Sequence, residues 1–177
     1  TILNAFYRSL LQRLKSLIDP IFSIKNEAAF LEQALLIFQH QSAQNPVYKQ
    51  YLNTLGTTVE NVHSLQQIPF LPIELFKSHQ LITGTDAVQE TFTSSGTTGT
   101  QQSKHFVTDL SLYEESYRRA FQLFYGNISD YCILALLPSY LERDGSSLIY
   151  MAEDLIKRSQ NPDSGFYLHN HAELLHK

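Results

Sequence analysis

A chain of 177 residues can bury about 70% of its unfolded surface in one core, and a hydrophobic share of 43% is ordinary for a globular domain. Thirteen basic against seventeen acidic residues leave a formal charge of −4, and no Lys/Arg run exceeds a pair such as Arg118-Arg119, which argues against nucleic-acid binding. No apolar run approaches the ~20 residues that span a bilayer, no secretory signal is visible, and a single cysteine precludes an internal disulfide and fits a reducing cytoplasm.

Leu3, Phe6, Tyr7, Leu10, Leu11, Leu14, Leu17 and Ile18 recur at helical spacing until Asp19-Pro20 ends the run. A second helix is expected from Asn26, with Phe30, Leu31, Leu35 and Phe38 inward. A third runs from Val47 to Leu55 and closes at Gly56. Pro69 and Pro72 bracket a bend before a short helix over Ile73 to Lys77, with Pro72 in its first turn. Residues 1–79 therefore read as mainly helical. From Gln80 onward the pattern changes.

Val88 to Thr93 and Lys104 to Val107 have the β-branched and aromatic content of short paired strands. Asp109 is a good N-cap for a helix that carries Leu112, Tyr113, Tyr117, Ala120, Phe121 and Phe124 on one face and stops at Gly126. Tyr131 to Leu137 is a continuous apolar run ended by Pro138, the pattern of a strand covered on both faces. Cys132, inside that run, is expected to be buried and slow to react. A helix over Ser146 to Arg158 and a short strand over Phe166 to Leu168 complete the order. Alternating strands and helices predict an α/β fold in which N-terminal helices precede a layered, largely parallel sheet with flanking helices.

The chemistry concentrates between the two paired strands. Nine of the ten residues from Thr91 to Thr100 are Ser, Thr or Gly. Glycines let successive N–H groups converge, and small hydroxyls add donors around them. Thr93, Ser94, Ser95, Gly96, Thr97, Thr98 and Gly99 thus form a candidate phosphate cradle, with Lys104 as a positive charge at its end. A Walker A loop would place its lysine directly after the second glycine, and a nucleophile elbow would need a glycine two before the serine; neither pattern fits. A Ser/Thr/Gly surface linker is the competing reading.

Thr93 followed by Ser94-Ser-Gly-Thr-Thr-Gly99 resembles the phosphate loop of the adenylate-forming superfamily. That superfamily's proline-lysine ending is replaced here by Gln101 and Gln102, with the lysine displaced to Lys104. Ile68-Pro-Phe-Leu-Pro-Ile-Glu-Leu-Phe-Lys77, Leu136-Leu-Pro-Ser-Tyr-Leu-Glu-Arg143 and Gly145-Ser-Ser-Leu-Ile-Tyr-Met151 extend the likeness to LuxE-like acyl-protein synthetases, over roughly Ile68 to Leu168. The resemblance implies activation of a fatty or other carboxylic acid by ATP and Mg2+ as an acyl-adenylate, then transfer to a thiol on a protein cysteine or coenzyme A. An acyl reductase subunit is an implied partner. A ligase of the phenylacetate-CoA type and a non-catalytic nucleotide-binding subunit of a fatty-acid-reducing complex are the alternatives.

Arg143 falls after an apolar strand, where it can pair with a phosphate or carboxylate, and Tyr140 beside it could line an acyl pocket. His169 and His171 share a face if extended, but no third ligand completes a metal spacing, so a solvated strand end is expected. No metal site is expected elsewhere. The chain opens on Thr1 and closes on His171-Ala-Glu-Leu-Leu-His-Lys177, which reads as the start of a helix. The acyl-adenylate enzymes it resembles are much longer, so the N-terminal part of a longer protein is expected, inactive alone, with a stand-alone half as the alternative.

Overall fold

Asparagines punctuate the first helices. Asn26 Oδ1 accepts from Ala29 N at 2.9 Å and starts α1, Glu27–Gln44, with Glu27 placed well for the helix dipole. Asn45 then ends one helix and begins the next. Its N–H donates to Gln41 O at 2.9 Å, while its Oδ1 accepts from Tyr48 N at 3.0 Å to cap α2, Pro46–Leu55. Pro46 fits the first helical position because no intrahelical partner exists for its missing N–H. Gly56, at φ 65, closes α2 in the left-handed conformation.

The computed structural model describes residues 19–94, 101–138 and 144–176. Described residues fall into two compact units, one built from the chain up to Leu75 with Leu81–Thr85, the other from Phe76–Gln80 with the chain from Asp86 onward. The expected helix over Leu3 to Ile18 lies outside the described residues. In the first unit Phe38, Tyr48, Leu52 and Val62 form a core, with Leu35, Tyr51, Ile68 and Leu71 packed against it. The Phe38 and Tyr48 rings meet edge to face at 6.1 Å, and the Tyr48 hydroxyl donates to Pro69 O at 2.7 Å. Phe30, expected inward, is exposed. Eight residues from Phe38, it stands about 80° around the helix and on the side away from Leu35.

In the second unit β1, Glu90–Thr93, pairs antiparallel with β2, Lys104–Val107, in a register that sets Thr93 opposite Lys104 and Phe92 opposite His105. A single turn, α3 (Leu75–Ser78), begins with Leu75 N donating to Pro72 O at 3.1 Å. Asp109 caps α4, Leu110–Tyr125, through Leu112 N at 3.1 Å, and Gly126 closes it at φ 87. Ser146 caps α5, Ser147–Ser159. β3, Leu134–Ala135, lies parallel to β4, Gly165–Phe166, so β3, α5 and β4 make one strand-helix-strand unit. His171–Leu174 forms the last turn, α6.

The expected layered, largely parallel sheet is not what the described residues build. They contain one antiparallel pair of four-residue strands and one parallel pair of two-residue strands, and helices dominate the rest of the described residues. The apolar run explains the difference. From Tyr131 to Leu137 coverage alternates: Ala135 is buried, whereas Cys132, Leu134 and Leu136 are exposed. One face of this segment is covered, not two, and only Leu134–Ala135 pairs. Cys132 is therefore exposed, contrary to the expectation from sequence. His171 opens α6 and β4 ends at Phe166, so the two histidines do not sit on a strand end either.

Candidate functional site

The neck of the Ser/Thr/Gly loop is held by a reciprocal pair of hydrogen bonds. Ser94 N donates to Ser103 O at 3.1 Å, and Ser103 N donates to Ser94 Oγ at 3.1 Å. Ser94 thus spends both its backbone donor and its side-chain acceptor on closing the loop. Thr93 and Lys104 stand opposite each other one step further down the hairpin, so their side chains share a face of it. Lys104 is exposed. The structure brings Thr93, Ser94 and Lys104 together at one place. Ser95, Gly96, Thr97, Thr98 and Gly99, with Tyr140 and Arg143, lie outside the described residues.

The hairpin has a second attachment that sequence reasoning did not isolate. Thr93 N donates to Gly145 O at 2.8 Å, away from β2. Thr93 Oγ1 approaches the same oxygen at 3.5 Å, a much weaker contact. Gly145 N is satisfied locally by Asp144 Oδ1 at 2.7 Å. Gly145 stands inside a stretch already notable for Arg143, but nothing in its neighbours announces a bond to a strand fifty residues earlier.

Beneath β1 lies a bed of aromatic rings from the two helices. Phe92 is buried with its ring 4.9 Å from Tyr113 and 5.5 Å from Tyr150, and Tyr113 meets Tyr117 at 5.4 Å. Burial raises the Tyr113 hydroxyl above the usual tyrosine range, only partly offset by the Ser147 side chain, and Tyr113 Oη donates weakly to Ser147 O at 3.4 Å. His105, across from Phe92, sets its ring against Phe76 at 6.1 Å while keeping one side in solvent, and this desolvation lowers its pKa. A neutral His105 adds no charge to the neck, so among the described residues there Lys104 is the cation.

The helices under this bed are locked to each other by charge. Arg118 grips Asp154 with two bonds, Nε to Oδ2 at 2.9 Å and Nη2 to Oδ1 at 2.7 Å, and also reaches Glu114 at 3.0 Å. Arg158 adds bonds to the same carboxylate at 3.0 and 3.1 Å. Burial opposes ionisation of Asp154, but Arg118 first, then the nearby Tyr117 hydroxyl and Arg158, hold its carboxyl below the usual range. The Tyr117 hydroxyl is buried and makes no bond of good geometry, yet it lies within electrostatic reach of Asp154. Tyr150 Oη donates to Glu114 Oε1 at 2.7 Å. A cleft of about 210 Å³ beside the end of α4 has Arg118, Phe121, Leu155 and Arg158 on its walls. Both guanidiniums are committed to Asp154, so the cleft offers little free charge.

Comparison of the chain with family models, with curated proteins and with solved structures gave no match. Among the described residues no group of three or more His, Cys, Asp or Glu side chains is placed to hold a metal ion, and no helix is long and apolar enough to cross a membrane. The functional reading therefore stands on the loop, its frame and the motif resemblance.

Proposed function

We propose that this chain carries the triphosphate-binding loop of an acyl-adenylate-forming ligase. In that reaction a carboxylate attacks the α-phosphorus of ATP and pyrophosphate leaves; a thiol of a protein or of coenzyme A then takes the acyl group and AMP is released. The observation that carries the reading is the Ser94–Ser103 neck: a Ser/Thr/Gly segment is closed by two hydrogen bonds at the end of a hairpin seated on a packed aromatic bed. A passive linker has no need of such a frame. A phosphate cradle does, because donors stabilise developing charge only if they are already in place. Lys104, on the same hairpin face as Thr93, supplies the cation, and magnesium would arrive on the triphosphate itself.

A titration of the protein with Mg·ATP, beside acid-dependent pyrophosphate exchange, tests this. Replacing Thr97 and Thr98 together by alanine should weaken Mg·ATP binding at least about tenfold if their hydroxyls contact phosphate. Melting temperature should hold, because short hydroxyl side chains contribute little apolar burial. Undiminished binding in that double variant returns the segment to the linker reading. Binding, not exchange, decides the loop reading, because a part that is inactive alone would bind without exchange.

A further inference from the structure

We propose that Gly145 is a positioning residue for the loop that leaves β1, acting through Thr93; the inference rests on the phosphate-loop reading above. Glycine is required there twice over. Its φ of +76 lies in the left-handed region that side chains rarely adopt. Space is also short: a Cβ at 145 would stand 3.2 Å from Thr93 Oγ1 and 3.6 Å from Thr91 O. The Gly145 carbonyl takes the Thr93 N–H that β2 leaves unused, so the backbone at the root of the loop is gripped from both edges.

What Gly145 transmits is the position of α5. Ser146 caps that helix, and Tyr113 of α4 reaches Ser147 O at 3.4 Å, just after the glycine. The Arg118–Asp154 pair then ties α5 to α4. Thr93 is the residue before Ser94, so a shift of a few tenths of an ångström at Gly145 passes directly into the neck of the loop. The hairpin register alone does not set where the loop begins; the turn before α5 does.

The test compares three variants of the whole chain. Gly145→Ala brings both backbone strain and the contact with Thr93. Gly145→Asn keeps the contact but tolerates the left-handed backbone better, which guards against loss of folding. Gly126→Ala also places backbone strain, at φ +87, but with nothing within 4 Å of the added Cβ. Both Gly145 variants should raise the Mg·ATP dissociation constant about tenfold and speed hydrogen exchange at the Thr93 amide. Gly126→Ala should lower the melting temperature and leave both readouts unchanged. Parent-like affinity in Gly145→Asn, or an equal affinity loss in Gly126→Ala, overturns the inference alone. Absence of Mg·ATP binding by the parent chain overturns the phosphate-loop reading and takes this inference with it.

Discussion

Tyr48 shows how one side chain can join packing to titration. Its ring lies in the first unit's core while its hydroxyl donates to Pro69 O. Burial, followed by the influence of Tyr51, pushes its pKa up to about 12. The protonated phenol is the form the fold favours, so its contribution is complete below the unfolded tyrosine value of about 10 and lost as pH rises through the folded value. Titrating phenolate absorbance in the parent chain and in Tyr48→Phe should reveal one tyrosine ionising near 12 that the variant lacks. Cys132 makes the opposite point. It sits in an apolar run, yet its place on the uncovered side exposes it, so native protein should label stoichiometrically with a thiol reagent without denaturant. Protection until unfolding would contradict the alternation described for this segment. The end signals of the helices were legible because they are local: Asn26, Gly56, Asp109 and Gly126 each act within a few residues of themselves. Exposure at Cys132 depends on what covers each face, which composition along the run does not encode.

Between elements, Asn45 and Asp154 carry more than their neighbours. Asn45 caps α2, closes α1, and sends its Nδ2 to Thr83 Oγ1 at 3.2 Å. Asn26 is an ordinary exposed cap. Asn45→Ala should therefore cost about 2 kcal/mol and Asn26→Ala about 1, measured by urea denaturation; equal costs would reduce Asn45 to a simple cap. For Asp154 the folded pKa is depressed, so the stability it lends is complete above the unfolded carboxylate value of about 4 and is lost as pH falls through the folded one. Arg118→Ala should cost about 1–3 kcal/mol at neutral pH and flatten the acid side of the stability curve. An unchanged acid limb would mean that Arg158 alone sustains the shift. This lock joins residues thirty-six positions apart, and the bond from Gly145 to Thr93 spans fifty-two. The Ser/Thr/Gly character of the loop could be read from its own residues, and the hairpin place of Lys104 from the strand pattern after them. The grip on its root could not, because it is made by a backbone carbonyl, which every residue possesses.

At the scale of the chain, the order of helices and strands was foreseeable, while the layered, largely parallel sheet expected from it is not built by the described residues. Alternation of strand and helix argues for parallel neighbours, and β3 with β4 follows that rule. β1 and β2 are joined by a loop instead of a helix, so they fold back on each other as an antiparallel hairpin. The hairpin neck also has a consequence for what the intervening sequence must do. Ser94 and Ser103, nine positions apart, close the loop themselves, so lengthening the segment between them costs the fold the entropy of a larger ring. That entropy grows slowly, by about 0.6 kcal/mol for a doubling of length. Inserting a run of glycines and serines inside the neck should lower stability by about that amount, whereas Ser94→Ala, which removes the side-chain acceptor, should cost about 1 kcal/mol. Thermal denaturation of the two variants checks the ranking. Folding then constrains the two serines at the gate.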